Sequence, residues 1–201
     1  MLKKFRKILI VSLCFMLLSS SFVLADSTDK DTSSNKATKE PIFSFSIDGY
    51  TFKYKDAPQI LKDEYDKNCK EIGIIPSADS EIFIPMDEMD KYKQNYTIDD
   101  SISTYSDFTI SYYETYFHVS GDKTYNVYVT TYVGYGHVTS GNPVHLVQLL
   151  LKKVGFYTGI DSIFGNDTYK KVKSFQSKYG LQADGVVGLG TWKTFADVAN
   201  L

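Results

Sequence analysis

A twelve-residue phrase is written twice near the C-terminus, and it constrains the fold more than any other feature. The first copy spans residues 161–172 and the second spans residues 184–195, an offset of 23 positions. Each copy contains, in the same order, an Asp, two apolar residues, a Gly, a Thr, an aromatic residue, a Lys and a closing apolar residue. Such repetition predicts one structural unit used twice. The Asp and Gly favour a turn, and the aromatic-x-x-apolar spacing that follows favours a helix with one inward face.

A further helix is predicted before the two copies. Asn142 is a suitable N-cap residue, Pro143 suits the first helical position, and Gly155 can end the helix in the left-handed conformation. The apolar residues between them recur every three or four positions, as on a buried helix face: Val144, Val147, Leu150, Leu151 and Val154. Residues 137–201 are therefore predicted to form an all-α domain of three helices.

Several spaced motifs follow one another along this segment. They are Val147-Gln148-x-x-Leu151, Gly155-Phe156-Tyr157, Asp161-x-x-Phe164-Gly165-x-x-Thr168, Val172-x-x-Phe175-Gln176 and Gly180-Leu181-x-x-Asp184-Gly185-Val186-Val187-Gly188-x-x-Thr191-Trp192. Together they resemble the peptidoglycan-binding domain that bacterial wall enzymes carry as an appendage. Ser162 stands where that family usually has Gly, and Leu189-Gly190 replaces a Pro-Lys type pair. The resemblance implies non-covalent attachment to peptidoglycan, and it implies no catalysis.

The resemblance also implies a ligand groove beside the two Asp-containing loops. The candidate peptidoglycan-binding residues are Tyr157, Asp161, Phe164, Gly165, Asp184, Gly185 and Trp192. A structural interpretation stays open beside this one. Phe164 and Trp192 are also typical core residues, and Asp161 and Asp184 are also typical turn formers.

The first 25 residues are predicted to be a secretory signal peptide. A basic start is followed by an apolar run over residues 8–18 and by Val23-Leu24-Ala25, a small-residue cleavage site. An uncleaved membrane anchor is the alternative, because the apolar run approaches the length that spans a bilayer. Residues 26–40 are rich in Ser, Thr, Asp and Lys, which predicts a flexible linker.

Removal of the leader would change the charge of the chain. It takes away four of the 22 basic side chains and no acidic one, which leaves 18 against 24, a net charge of −6. Arg6 is the only arginine, so an arginine-free acidic surface argues against nucleic acid as a partner. Cys69 would be the only thiol, so no intrachain disulfide is expected.

Residues 41–136 are predicted to form a separate α+β domain with an antiparallel sheet, and no family is recognised in them. A hairpin is expected at Asp48-Gly49, a helix from Pro58 to Gly73, a short strand ending at Pro85, and a second helix over residues 86–95. Two long strands rich in aromatic and β-branched residues are expected at 109–119 and 125–133. Residues 134–141, which contain three glycines, are expected to form a hinge.

Cysteine and histidine are the first candidates for chemistry. Cys69 has a nucleophile's side chain, with His118 or His137 as a base, but its helical spacing with Tyr65 favours a buried structural thiol. His118, His137 and His145 are residues of the type that binds zinc, yet no two of them lie within helical reach. These residues therefore predict no metal site and no cofactor.

Carboxylates and tyrosines are the remaining candidates. Glu114, or the acids Asp87, Glu88 and Asp90, could form the carboxylate pair of a glycan hydrolase, although such acids usually lie on a solvated face. A set of tyrosines suits either cross-strand pairs or stacking on sugar rings: Tyr112, Tyr113, Tyr116, Tyr125, Tyr128, Tyr132 and Tyr135. No catalytic residue is predicted from either set.

The favoured function is that of an exported, non-catalytic protein of a Gram-positive-like cell wall. Its partner would be peptidoglycan, and its α+β module would be available to a second envelope protein. No membrane contact is expected after cleavage of the leader. The alternative is a peptidoglycan hydrolase or remodelling enzyme whose catalytic module is residues 41–136.

Overall fold

The computed structural model describes residues 39–95 and 103–201. The predicted signal peptide and all but the last two residues of the predicted linker lie outside the described residues. Among the residues that are described, no helix combines the length and the apolar character needed to cross a membrane.

The first part of the described chain is an antiparallel sheet with two helices. The five strands are β1 Phe43–Lys53, β2 Glu81–Pro85, β3 Thr104–Tyr112, β4 Tyr116–Gly121 and β5 Tyr125–Tyr128. They lie in the order β2-β1-β3-β4-β5, and every neighbouring pair is antiparallel. The helices are α1 Gln59–Ile72 and α2 Met86–Asn95. The predicted α+β class is therefore confirmed.

One long strand replaces the hairpin expected at Asp48-Gly49, so that expectation is wrong. β1 continues through both residues. Gly49 lies opposite Ser106 of β3 and Pro85 of β2, at the point where β1 becomes paired on both edges. A Cβ at Gly49 would overlap the carbonyl oxygen of Ile84. The glycine therefore permits a close approach of two backbones and does not form a turn.

The aromatic-rich run after residue 103 forms three strands where two were expected. The chain reverses at residues 113–115, between β3 and β4, and Glu114 has a φ of 69° there. The Tyr113 N–H donates to the Tyr116 carbonyl at 2.9 Å and closes the turn. A glutamate among aromatic residues carries no turn signal, because Gly, Asn and Asp are the residues that favour this conformation.

Three helices follow the sheet, as the sequence predicted. They are α3 Asn142–Lys153, α4 Asn166–Lys178 and α5 Leu189–Ala199. α3 begins one residue earlier than expected, because Gly141 is its N-cap and Asn142 is already helical. Gly155 has a φ of 82° just beyond the end of α3, in agreement with its predicted role.

One apolar core runs from the inner face of the sheet into the three helices. Trp192 of α5 is fully buried and its ring centre lies 5.8 Å from that of Phe117 in β4. Phe175 of α4 stacks on Phe195 of α5 at 4.1 Å. A second core lies beneath α1, and it includes Ile163 from the segment that leads into α4. Sheet and helices therefore bury their apolar faces against each other.

Residues 131–141, which include the expected hinge, are hydrogen-bonded to the helical part at several points. Val133 exchanges two backbone hydrogen bonds with Val187, at 3.1 and 2.8 Å. The Gly141 N–H donates to the Ser162 carbonyl at 2.9 Å, and the Phe164 N–H donates to the Thr139 carbonyl at 2.8 Å. This segment therefore contacts both copies of the repeated phrase.

Candidate functional site

Each copy of the repeated phrase begins with a loop that a buried glutamine holds in place. In the first Asp loop, residues 161–165, the glutamine is Gln148 of α3. Its Nε2 donates to Asp161 Oδ1 at 2.7 Å and to the Ile163 carbonyl at 3.1 Å. Its Oε1 accepts the N–H groups of Asp161 and Ser162 at 3.0 and 2.8 Å. The Gln148 side chain thus pairs with the carboxylate, one carbonyl and two N–H groups of the loop.

The second Asp loop, residues 184–188, repeats this arrangement with Gln176 of α4. Gln176 Nε2 donates to Asp184 Oδ1 at 3.0 Å, to the Val186 carbonyl at 2.9 Å and to Thr191 Oγ1 at 3.2 Å. Its Oε1 accepts the Gly185 N–H at 2.8 Å. The Gln176 side chain therefore belongs to the same repeated unit, although it precedes the phrase in the sequence.

The surroundings of the two loops differ. The first Asp loop is covered by α1: Asn68 Nδ2 donates to Asp161 Oδ2 at 2.7 Å, and the Glu71 carboxylate accepts the Asn166 N–H at 2.5 Å. Asp161 keeps only 5% of its surface exposed, and this burial raises its pKa although hydrogen bonds from Gln148 and Asn68 oppose the shift. Asp184 of the second Asp loop is exposed.

A cleft of about 380 Å³ lies beside the first Asp loop. We call it the α1 cleft. Its apolar surface comes from Leu61 of α1 and from Phe83 and Ile84 of β2, and residues 157–161 complete it. The Phe83 N–H donates to the Ile160 carbonyl at 2.9 Å, so residue 160 extends the edge of the sheet into the cleft. The cleft therefore exists only where the sheet, α1 and the helical part meet.

Polar groups line the α1 cleft in a connected network. The hydroxyl groups of Tyr157 and Tyr92 are hydrogen-bonded to each other, and the Tyr92 hydroxyl donates to Glu64 Oε2 at 3.2 Å. Burial raises the pKa of both tyrosines, so their hydroxyls stay protonated. Partial burial also raises the pKa of Glu64, an effect that the Tyr92 hydrogen bond opposes. Charged groups of both signs from α1 and α4 surround this network: Glu64, Lys67, Asp167, Lys170 and Lys171.

A smaller hollow of about 290 Å³ lies beside the second Asp loop. Tyr132, Asp184, Leu189 and Thr191 contribute to its wall. Tyr132 is 52% exposed and packs over the position where a Cβ of Gly188 would lie. This hollow has one carboxylate and no basic side chain among its lining residues, so it offers fewer charged groups than the α1 cleft.

The structure separates the seven candidate binding residues into three groups. Tyr157 and Asp161 lie together in the α1 cleft, whereas Asp184 lies beside the second hollow. Phe164 and Trp192 are fully buried, and Trp192 Nε1 donates to the Thr131 carbonyl at 2.7 Å. Gly165 and Gly185 are also buried, beneath Asn68 and Tyr169 respectively.

Sequence reasoning missed the α1 and α2 side chains of the cleft, above all Glu64, Asn68 and Tyr92. Each of these residues lies far from the repeated phrase in the sequence, and none carries a motif. The helical spacing of α1 predicted its buried face, but Asn68 faces residue 161 across 93 positions of sequence. Only the packing of α1 against the helical part places it there.

Among the chemical candidates, Cys69 and His145 are both buried. Burial raises the pKa of the Cys69 thiol to about 11, so at neutral pH it is a protonated thiol and a weak nucleophile. Burial lowers the pKa of His145 to about 3, and its Nδ1 lies 2.6 Å from the Tyr125 hydroxyl. His145 is therefore a neutral side chain between α3 and the sheet.

The remaining histidines and two of the acids have structural partners. His118 pairs with Asn126 at 2.7 Å, and His137 lies against the Tyr132 ring. Asp87 and Glu88 both bind Lys152, at 2.7 and 2.6 Å. Within residues 39–95 and 103–201, no group of three or more His, Cys, Asp or Glu side chains is placed to hold a metal ion.

Comparison with known families matches both parts of the chain. A family model described as a peptidoglycan-binding domain matches residues 140–195, which confirms the resemblance of the helical part. A second model, also described as a peptidoglycan-binding domain, matches residues 43–111, in which no family is recognised from the sequence alone.

Curated relatives share only a short stretch with this chain. An N-acetylmuramoyl-L-alanine amidase, CwlM from Mycobacterium tuberculosis, is 39% identical over 66 residues, which are 32% of this chain and 16% of the amidase. A spore cortex-lytic enzyme from Bacillus cereus is 47% identical over 53 residues, which are 26% of this chain and 20% of the enzyme. The chain therefore spans less than a quarter of these relatives, and the match covers their binding domain.

A solved structure matches much more of the chain. It is a peptidoglycan-binding protein from Clostridioides difficile in complex with glutamine hydroxamate, with 36% sequence identity and a TM-score of 0.68. The match covers 77% of this chain and 94% of that one. Both family models agree with this relative, which the match covers almost completely. The chain therefore belongs to the family of peptidoglycan-binding proteins.

Proposed function

We propose that this protein is exported, resides in the cell wall and binds peptidoglycan non-covalently through residues 137–201. The observation that carries the proposal is the match of peptidoglycan-binding models in both parts of one chain, together with the C. difficile relative. The α+β module of residues 41–136 is proposed to be non-catalytic and to offer its outer surface to a second envelope protein.

Within this proposal the principal contact with peptidoglycan is the α1 cleft, where residues 157–161 of the helical part meet α1 and β2 of the α+β module. Two of the candidate binding residues, Tyr157 and Asp161, line it, and its volume of about 380 Å³ lies within the usual range for small-ligand sites, about 300–1,000 Å³. The C. difficile relative was solved with glutamine hydroxamate, an amino-acid derivative that a cleft of this size would hold. Asp184 is proposed as a second, weaker contact on the other loop.

A pull-down on purified wall sacculi tests the proposal. Wild-type protein is expected to sediment with the sacculi, and Tyr157→Ala is expected to reduce the retained fraction more than Asp184→Ala does. Asp197→Asn, an exposed change on α5, is the control for a lost surface charge. Circular dichroism would show that each variant is folded. Unchanged retention of folded Tyr157→Ala would remove the α1 cleft from the proposal, and failure of the wild type to sediment would remove peptidoglycan binding.

The same sacculi distinguish this function from the hydrolase alternative. We expect no released reducing ends, no free amines and no loss of turbidity. If the protein did hydrolyse sacculi, and if Glu114→Gln or Cys69→Ser abolished this hydrolysis, residues 41–136 would instead be a catalytic module. Sequencing the N-terminus of the protein recovered from a producing culture tests export, with cleavage after Ala25 as the expected result.

A further inference from the structure

We infer that the α1 cleft binds the peptide part of peptidoglycan, as a short stem segment with a free carboxylate and an amino group, and not the glycan strand. This inference rests on the proposed function, because it names which part of the same polymer occupies the cleft.

The charges of the cleft are the first argument. Glu64 and Asp167 are acidic, and Lys67, Lys170 and Lys171 are basic, and all five line one cleft. The Lys67–Asp167 distance is 3.5 Å and both side chains are more than half exposed, so this pair is weak and both groups are available to a ligand. A ligand with charges of both signs can pair with both kinds of side chain, whereas the sugar rings of a glycan offer neutral hydroxyl and amide groups.

The aromatic residues of the cleft are the second argument. Sugar rings stack on the free face of an aromatic ring, but Lys152 Nζ already lies 4.9 Å from the centre of the Tyr157 ring. Lys152 is itself held by Asp87 and Glu88, so it is fixed in this position. Tyr157 also packs against the main apolar core, so little of its ring is left for stacking. Its hydroxyl donates to Tyr92, and its hydroxyl oxygen can accept a hydrogen bond from a peptide N–H.

The rigidity of the walls is the third argument. Asn68 binds the buried Asp161, and Glu71 binds the start of α4, so α1 and α4 are joined below the charged groups. Tyr157, Tyr92 and Glu64 form a hydrogen-bonded row on the other side. A pre-formed site of this kind loses little conformational freedom when a short peptide binds.

Isothermal titration of the purified protein with two soluble probes tests the inference. One probe is the tripeptide L-alanyl-γ-D-glutamyl-diamino acid, and the other is an N-acetylglucosamine tetramer. We expect saturable binding of the tripeptide and none of the tetramer. Glu64→Gln and Lys170→Gln should each weaken tripeptide binding about tenfold, because each removes one charged partner.

Two matched variants control for the loss of charge. Asp63→Asn changes the residue next to Glu64 on α1, and Lys193→Gln changes an exposed lysine of α5; neither residue lines the cleft. Both should bind the tripeptide as the wild type does. Two results would overturn the inference. One is that the tetramer binds and that Glu64→Gln weakens this binding; the other is that no cleft variant changes the affinity for the tripeptide. If the wild-type protein sediments with sacculi but does not bind the tripeptide, this inference alone is refuted. If it does not sediment, the proposed function is refuted.

Discussion

The first and second Asp loops share one hydrogen-bonding plan and differ in what covers them. In each, a buried glutamine from the preceding helix binds the Asp carboxylate, the loop backbone and a threonine of the following helix. α1 then closes over the first loop, while the second stays open beside Tyr132. The repeat therefore specifies the internal geometry of a loop, and the neighbouring element decides what the loop can contact.

The loops also differ at one matched backbone position. Ser162 and Gly185 are equivalent in the repeat, and both have left-handed dihedrals, with φ of 64° and 79°. A Cβ at Gly185 would overlap the Tyr169 ring, so the second loop requires glycine there. In the first loop a serine is accommodated, at the cost of a conformation that L-residues disfavour. The departure from the family pattern at Ser162 is therefore a local substitution that leaves the left-handed backbone shared by the two loops unchanged.

Removing the central glutamine should give the largest difference between the loops. Gln148→Ala leaves the buried Asp161 without its main donor, so we expect a loss of about 3–5 kcal/mol in the free energy of unfolding. Gln176→Ala should cost about 2 kcal/mol, because water can reach the exposed Asp184. Urea unfolding measures both losses, with the exposed Gln182→Ala as control. Equal losses would mean that the cover of α1 has no energetic consequence.

Removing the cover itself should have the next largest effect. Asn68→Ala takes a donor from buried Asp161, and we expect a loss of about 1–3 kcal/mol. Lys67→Ala on the same helix breaks only an exposed ion pair and should cost less than about 0.5 kcal/mol. A double-mutant cycle sharpens the comparison. Asn68→Ala should be non-additive with Gln148→Ala and additive with Gln176→Ala, and the reverse pattern would show that α1 supports the other loop.

The buried carboxylate should also make stability depend on pH. Burial raises the folded-state pKa of Asp161 above its ordinary value of 3.8. The contribution of Asp161 to the free energy of unfolding is then fully present below pH 3.8, and it is lost as the pH rises through the folded-state pKa. The stability of Asp161→Asn should therefore improve relative to the wild type as the pH rises from 4, by at most about 1.4 kcal/mol per pH unit.

Urea unfolding at pH values from 4 to 7 measures this slope, and Gln182→Ala, which alters no titrating group, is the control. If the difference between wild type and Asp161→Asn stays constant across these pH values, Asp161 has no raised pKa in the folded protein.

The smallest effect is expected at Ser162. Ser162→Gly relieves the left-handed strain but adds flexibility to the unfolded chain, so we expect a net gain of about 0.5 kcal/mol. Its N–H can still donate to Gln148 Oε1, since glycine keeps the backbone donor. Thermal unfolding measures the shift. A clear loss of stability would show that the serine side chain contributes a contact that outweighs the strain.

Local patterns in the sequence predicted the elements that local chemistry controls. The three C-terminal helices, α1 and the stops at Gly73 and Gly155 follow from apolar spacing and from glycine's access to left-handed dihedrals. The two errors in the sheet came from residues that act through distant partners. Gly49 was interpreted as a turn because its real role, close approach to Ile84, depends on a strand 35 positions away. The turn at Glu114 has no turn-forming residue to reveal it.

The sequence by itself determined the repeated unit, the class of the fold and the resemblance to wall-binding domains, because these depend on residue types at short and regular spacing. Only the tertiary structure decided which Asp loop is covered, and that Glu64, Tyr92 and Tyr157 share one cleft. The reason is that burial and electrostatic environment depend on side chains brought together from α1, α2, β2 and α4, and no local pattern encodes that meeting.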